Sequence, residues 1–147
     1  MIPLDSRLRR EVYDVCVARG APPSIAELSL ATSASADDVR AGLTRLAAGR
    51  ILVLQPVSGE ILMAPPFSAV PTPFLVETSR QTSYANCAWD ALGVPVMLRE
   101  PAVIRSACGC CGEALTLDIA HNVPPVRDDL IHFAVPAKRW WEDLVFT

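Results

Sequence analysis

The chain has 147 residues, of which 51% are apolar, and a net charge of −3, enough for one ordinary domain or two very small ones. This composition excludes a disordered protein, and 13 unclustered basic residues against 16 acidic ones exclude a basic surface for nucleic acid or anionic lipid. Residues 1–10 show no apolar leader, and no stretch approaches the roughly 18 apolar residues of a membrane span. We therefore expect a cytoplasmic protein with no membrane partner. Because five cysteines are an odd number, reduced thiols are favoured over disulfides.

The first third of the chain predicts three short helices. A first apolar run with helical spacing stops at Gly20, a residue type that commonly ends helices. Ser24 stands three residues before Glu27 and predicts a capping box at the start of the second helix. Ser35 begins the third helix, and Gly49 ends it.

Two apolar runs at residues 51–54 and 60–63 then predict a β-hairpin. Three helices followed by a hairpin is the order of a winged-helix domain, whose third helix often reads DNA. Here that helix carries charges of both signs, at Asp37, Asp38, Arg40 and Arg45. We therefore treat a DNA-binding regulator as the weaker alternative and favour a structural or dimerising role, with a homodimer formed through an exposed apolar patch left open.

A proline-dense segment from Pro65 to Pro73 predicts an extended connector, because each proline fixes its own φ and disfavours helix before it. We expect this connector, residues 65–80, to join a winged-helix-like domain at residues 1–64 to a second domain at residues 81–147. Beyond the connector we predict one short helix at Cys87–Leu92 and a final segment that begins as a helix at Ala137. Apolar runs predict short strands at Phe74–Glu77, Val94–Leu98, Ala102–Arg105, Leu115–Ile119 and Leu130–Val135. The predicted fold class is α+β, with a three-helix lobe and hairpin followed by a small, mostly antiparallel or mixed sheet.

Cys87 and Asp90 form the most informative pair of side chains. If Cys87 begins a helix, the free backbone N–H groups and the helix dipole lower the pKa of its thiol. Asp90 lies three residues later on the same helical face. A thiolate there would raise the pKa of the Asp90 carboxyl and make it a proton donor near neutral pH. The alternative is a buried cysteine that packs as a small hydrophobe beside an aspartate that caps a turn.

A second group of thiols follows at Cys108, Cys110 and Cys111. Cys108 and Cys111, followed by Gly112, have the Cys-x-x-Cys-Gly form of a zinc knuckle. A complete zinc site is not predicted, because there is no second such pair and neither histidine stands at ligand spacing, at His121 and His132. Three thiols within four residues would instead suit a thiophilic ion such as Hg(II) or Cu(I). Cys16, on the apolar face of the first helix, is predicted to lie in the core.

Several segments resemble the organomercurial (alkylmercury) lyases: Pro66–Pro73, Tyr84–Leu92, Ser106–Cys108 and Leu115–Ile119. The resemblance implies cleavage of the carbon–mercury bond of a small organomercurial, with Hg(II) as the bound product, small thiols as its acceptors and no required cofactor. In that family the cysteine matching Cys87 binds mercury as a thiolate. The aspartate matching Asp90 mediates proton transfer to carbon, and the cysteine matching Cys108 is structural.

The resemblance also implies a second mercury-binding cysteine, on a segment that follows a strand ending in proline, here residues 130–136. In this register the second cysteine would fall immediately after Thr147, so we expect the chain to lack the carboxy-terminal end of the family. Cys110 or Cys111 is the alternative source of the second thiol. Lyase chemistry is the favoured function. A non-catalytic protein that binds or senses Hg, Cu or Zn and a winged-helix regulator are the alternatives.

Overall fold

The computed structural model describes residues 2–120 and 123–142. Its helices are α1 (Leu4–Arg19), α2 (Ile25–Thr32), α3 (Ala36–Ala48) and α4 (Ala88–Leu98), with a 3-10 helix at Ala137–Glu142. Its strands are β1 (Val53–Leu54), β2 (Ile61–Ala64), β3 (Phe67–Ser68), β4 (Leu75–Thr78), β5 (Thr82–Ala85), β6 (Ala102–Ala107) and β7 (Ala114–Ile119). The α+β prediction is confirmed.

The end of α1, the start of α2 and both ends of α3 lie at the predicted capping residues. Gly20 ends α1 in the left-handed conformation, with φ of 83°. At α2 the Ser24 side chain accepts a hydrogen bond from the Glu27 backbone N–H, and the Glu27 carboxylate accepts one from the Ser24 backbone N–H. At α3 the Ser35 side chain accepts a hydrogen bond from the Asp38 backbone N–H. The helices bury one shared apolar core, which includes Leu8, Val12, Cys16, Leu28, Val39 and Leu43.

One antiparallel sheet of seven strands runs through the molecule in the order β1-β2-β3-β5-β4-β6-β7. The predicted hairpin is confirmed as the β1–β2 pair. Strands β3 and β4 both fall within residues 65–80, so the predicted connector supplies two strands of the sheet. The domain division at that connector stays a prediction.

The predicted strand at Val94–Leu98 is wrong, because α4 continues through these residues. The buried residues Ala91, Val94 and Leu98 recur at helical spacing. Pro95 lies inside the helix, where its missing N–H removes one backbone hydrogen bond. The buried face of the helix, including Pro95 itself, offsets that loss.

The predicted strand at Leu130–Val135 is also wrong, since these residues form no ladder with the strands of the described chain. Leu130 is 93% exposed. Ile131 borders one cavity and Phe133 another, so the alternating apolar residues cover cavities instead of extending the sheet. His132, predicted as a strand residue, lies in this irregular segment.

The final helix is a 3-10 helix that ends at Glu142. Residues 143–147 of that prediction, together with His121, lie outside the described residues. Within residues 2–120 and 123–142, no helix combines the length and apolarity that crossing a membrane requires.

Candidate active site

The site forms at the junction between the end of strand β5 and the start of α4. Strand β5 ends at Ala85, and Cys87 follows as the N-terminal cap of α4 with an extended φ of −150°. The Cys87 carbonyl accepts the first helical hydrogen bond, from the Ala91 N–H at 2.9 Å. Asp90 therefore lies in the first turn, three residues after the cysteine, and the predicted shared face is confirmed.

Asp90 lies between two donors. The Cys87 thiol donates to Asp90 Oδ2 at 3.8 Å, and Asn86 Nδ2 donates to the same oxygen at 3.1 Å. The amide oxygen of Asn86, Oδ1, is buried without a partner among the described residues. Our sequence analysis missed Asn86, because this residue precedes the N-terminal cap of α4 and helical spacing does not apply to it.

Burial is the main influence on the pKa of both groups. It raises the pKa of the Asp90 carboxyl, against the opposing hydrogen bonds from Asn86 and Cys87. The predicted direction is right, but its main cause is desolvation and not the charge of a thiolate. Burial also raises the pKa of the Cys87 thiol, more than the backbone N–H groups of Asp90 and Trp89 lower it. The predicted lowering of the Cys87 pKa is wrong, and the free thiol is protonated at neutral pH.

The pair opens into a cavity of about 150 Å³. Apart from the polar residues of the pair and Asn86, its lining is apolar and largely aromatic: Met63, Pro65, Trp89, Phe133, Trp140 and Trp141. Phe133 and Trp140 pack with ring centroids 4.7 Å apart, and Trp140 Nε1 donates to the Val135 carbonyl at 3.0 Å. The carboxy-terminal segment thus supplies one wall of the cavity.

Tyr13 of α1 contacts Pro65, a residue of the cavity lining. Its hydroxyl donates to the Pro65 carbonyl at 3.2 Å. Burial raises the pKa of Tyr13, and the negative charge of Asp90 contributes in the same direction. The hydrogen bond from Tyr13 to Pro65 joins distant parts of the chain, and no local motif indicates it.

The other thiols lie elsewhere. Cys108 is half-buried, Cys110 and Cys111 are exposed, and all three lie at the tip of the β6–β7 hairpin. None of them lines the cavity of Cys87, so the structure does not bring the proposed alternative second thiol to that site. Cys108 and Cys110 instead border a separate, mainly apolar cavity of about 690 Å³. Across the described ranges, no group of three or more His, Cys, Asp or Glu side chains is arranged to hold a metal ion.

The two arginines of α3 that bear on nucleic-acid binding both contact the protein itself. Arg45 makes a two-pronged pair with Asp5, with distances of 2.8 and 2.7 Å. Arg40 Nη1 donates to the Ser58 carbonyl at 2.7 Å. These contacts orient both guanidinium groups within the lobe, which adds nothing to the DNA-binding alternative.

Comparison with known proteins identifies the family of the chain. The family model described as MerB, alkylmercury lyase, matches residues 67–147, which include both cysteine sites and Asp90. The chain belongs to the alkylmercury lyase family. Its fold is similar to that in the crystal structure of the mercury-bound form of MerB2, with a TM-score of 0.63 and 20% identity. That similarity covers 84% of this chain but 58% of the MerB2 chain. A search of curated proteins gave no match.

Proposed function

We propose that this member of the family cleaves the carbon–mercury bond of small organomercurials, with Cys87 as the mercury ligand and Asp90 as the proton carrier. The observation that supports the proposal most is the thiol–carboxyl pair, 3.8 Å apart, inside an apolar cavity. A soft sulfur ligand binds mercury strongly. A carboxyl with a raised pKa suits proton transfer near neutral pH.

The reaction begins with a proton transfer inside the pair. As the Cys87 sulfur bonds to mercury and displaces its previous ligand, the thiol proton passes to Asp90 Oδ2, its hydrogen-bond acceptor. The high thiol pKa is no obstacle, because mercury replaces the proton directly. Asp90 is then a neutral acid beside the bound organomercurial, and Asn86 keeps its carboxyl oriented.

A second sulfur donor then weakens the bond to carbon. Within residues 2–120 and 123–142, Cys87 is the one thiol that lines the small cavity. We propose that a small thiol supplies the second thiolate to mercury. Electron density donated by two sulfurs weakens the carbon–mercury bond, and its electron pair moves to the carbon atom. The carbon atom takes the proton from Asp90. Hydrocarbon leaves, Hg(II) stays on Cys87 and the small thiol, and a further thiol exchanges with Cys87 to release it.

The cavity limits the organic group. A dry apolar cavity of about 150 Å³ is large enough to hold benzene, and this cavity has that volume and a largely aromatic lining. We therefore expect methyl and phenyl groups to enter, while larger polycyclic groups are excluded. Phenylmercury is the best first substrate, because its hydrocarbon product is easily measured.

The test is benzene release from phenylmercury in the presence of excess small thiol. The wild-type protein is expected to release benzene, with an initial rate that rises with thiol concentration. Cys87→Ser is expected to reduce release to the uncatalysed background, because the mercury ligand is lost. Cys110→Ser, at an exposed thiol outside the cavity, is the matched control and is expected to retain wild-type activity.

Two results would overturn the proposal. One is the absence of benzene release from folded wild-type protein, with phenylmercury retained intact, which would favour the non-catalytic binding protein. The other is equal loss of activity in Cys87→Ser and Cys110→Ser, which would remove the small cavity as the reacting site.

A further inference from the structure

The hairpin tip that holds the other thiols has a defined turn. The Cys108 N–H donates to the Glu113 carbonyl at 2.8 Å, which extends the β6–β7 ladder by one pair. The Gly112 N–H donates to the Cys108 carbonyl at 2.8 Å, and Gly112 has a φ of 75°. The left-handed glycine thus folds the chain back so that Cys111 returns toward Cys108.

The Cys108 sulfur is the centre of this turn. Hydrogen bonds from the backbone N–H groups of Cys111 and Cys110 and from the Cys111 thiol lower the pKa of Cys108. Successive backbone N–H groups around one atom form an anion-binding concavity of the kind found at thiolate metal sites. The hydrogen bond from the Gly112 N–H to the Cys108 carbonyl closes a turn that holds both cysteines of the Cys-x-x-Cys pair.

Cys110 stands apart from this pair. It borders the large apolar cavity, whereas Cys111 does not. The three cysteines do not form a three-ligand metal group in the described structure. The turn therefore offers two sulfur ligands, Cys108 and Cys111, and no third ligand from the described residues.

We propose that Cys108 and Cys111 form a second metal site that binds one soft, two-coordinate ion, independently of Cys87. Hg(II) and Cu(I) accept two sulfur ligands, whereas structural Zn(II) takes four. Cys111 is exposed and Cys108 is half-buried, so an ion bound to small thiols can reach the site. Binding is ligand exchange: the two protein sulfurs replace two small thiolates on the ion, and the two protein thiol protons go to the departing thiolates. No oxidant or reductant is needed.

Chelation gives the pair its advantage over free thiols. Once one sulfur has bound, the other acts at an effective concentration on the order of millimolar or above, because a short tether holds it nearby. Loss of either cysteine leaves a single ligand that must compete with every thiol in solution. We expect at least about a tenfold loss of retention at millimolar competing thiol.

The experiment uses the full chain with Cys87→Ser, so that the small cavity cannot bind mercury through sulfur. One equivalent of Hg(II) is added, free small thiol is supplied at millimolar concentration, and protein-bound mercury is measured after desalting. The Cys87→Ser protein is expected to retain about one ion per chain. Adding Cys111→Ser is expected to lower retention at least about tenfold, whereas adding Cys110→Ser is expected to leave it unchanged. Circular dichroism checks that each variant is folded.

The same variants with Cu(I) and Zn(II) show which ions the site accepts. Cu(I) is expected to follow the Hg(II) pattern against a competing chelator, and Zn(II) is expected to be lost on desalting. Equal loss of Hg(II) in the Cys110 and Cys111 variants, or full retention without Cys111, would overturn the assignment of the pair. Tight Zn(II) retention would overturn two-coordinate binding. Because Cys87 is absent throughout, these outcomes are separate from the success or failure of the proposed lyase reaction.

Discussion

The two thiol sites have the same kind of backbone donors, but the thiol pKa is raised at Cys87 and lowered at Cys108. At Cys87 the N–H groups of Trp89 and Asp90 lower the thiol pKa, and at Cys108 those of Cys110 and Cys111 do so. At Cys87 burial outweighs these donors and raises the thiol pKa overall. At the hairpin tip the pKa of Cys108 stays lowered. Burial therefore accounts for the opposite directions of the two pKa shifts.

This difference separates two ways of binding mercury. The protonated Cys87 has a carboxyl 3.8 Å away to receive its proton, which is then available for the carbon atom. The turn at Cys108 and Cys111 offers a second sulfur in place of an acid. The buried site is thus suited to breaking a bond, and the exposed site to holding an ion.

The largest expected effect that would sharpen this comparison is the loss of benzene release when the Asp90 acid is removed. Asp90→Asn removes the proton carrier but keeps the size and the hydrogen bond from Asn86, so we expect benzene release to slow by about 100-fold or more. Mercury retention by the hairpin tip is expected to be unchanged. A variant that cleaves phenylmercury at the wild-type rate would remove Asp90 from the mechanism.

The next largest effect is in thiol reactivity. Because alkylation needs the thiolate, we expect iodoacetamide to modify Cys108 at a lower pH than Cys87, and at neutral pH several times faster. Burial raises the pKa of Cys16 to about 12, so this residue should stay unmodified and serve as the internal control. Peptide mass spectrometry across pH 6 to 10 measures all three. A lower pH midpoint of alkylation for Cys87 than for Cys108 would contradict this difference between the two sites.

A smaller effect is expected on stability. The folded state raises the pKa of Asp90 above its unfolded value, so ionisation of this carboxyl costs stability as pH rises through the folded-state pKa. Asp90→Asn removes that cost. We expect the variant to have a higher Tm than wild type at pH 7 and the difference to vanish near pH 3. A lower Tm at pH 7 would show that Asp90 stabilises the fold.

The smallest effect is at the glycines of the hairpin tip. Gly112→Ala forces a side chain into a left-handed conformation, at a cost of roughly 1–2 kcal/mol, so we expect a few-fold weaker Hg(II) retention with unchanged benzene release. Gly109→Ala is the control, because nothing lies within 4 Å of the added Cβ. Similar retention in both variants would show that the turn geometry is not needed.

Local signals predicted the parts of the fold that local physics determines. The capping residues Ser24 and Ser35 located the starts of α2 and α3, and the three-residue spacing of Cys87 and Asp90 placed them on one helical face. The apolar run at Val94–Leu98 misled the prediction of α4, because an apolar run that includes a proline is also compatible with a helix whose buried face offsets the missing backbone hydrogen bond.

The rest of the site depends on contacts between distant residues. The support that Tyr13 gives to Pro65 joins α1 to the start of the predicted connector, and no periodicity indicates it. The pKa direction of Cys87 was mispredicted for the same reason: spacing shows the N–H groups of a helix end, but only the packed structure shows the burial that outweighs them.

The central claim is that Cys87 and Asp90 deliver a solvent-exchangeable proton to the carbon bound to mercury. Phenylmercury treated with the protein and excess thiol in D₂O tests it directly, with the product analysed by mass spectrometry. The account predicts benzene that carries one deuterium, formed at a rate that Cys87→Ser reduces to background. Unlabelled benzene, or labelled benzene formed equally fast by Cys87→Ser, would contradict it.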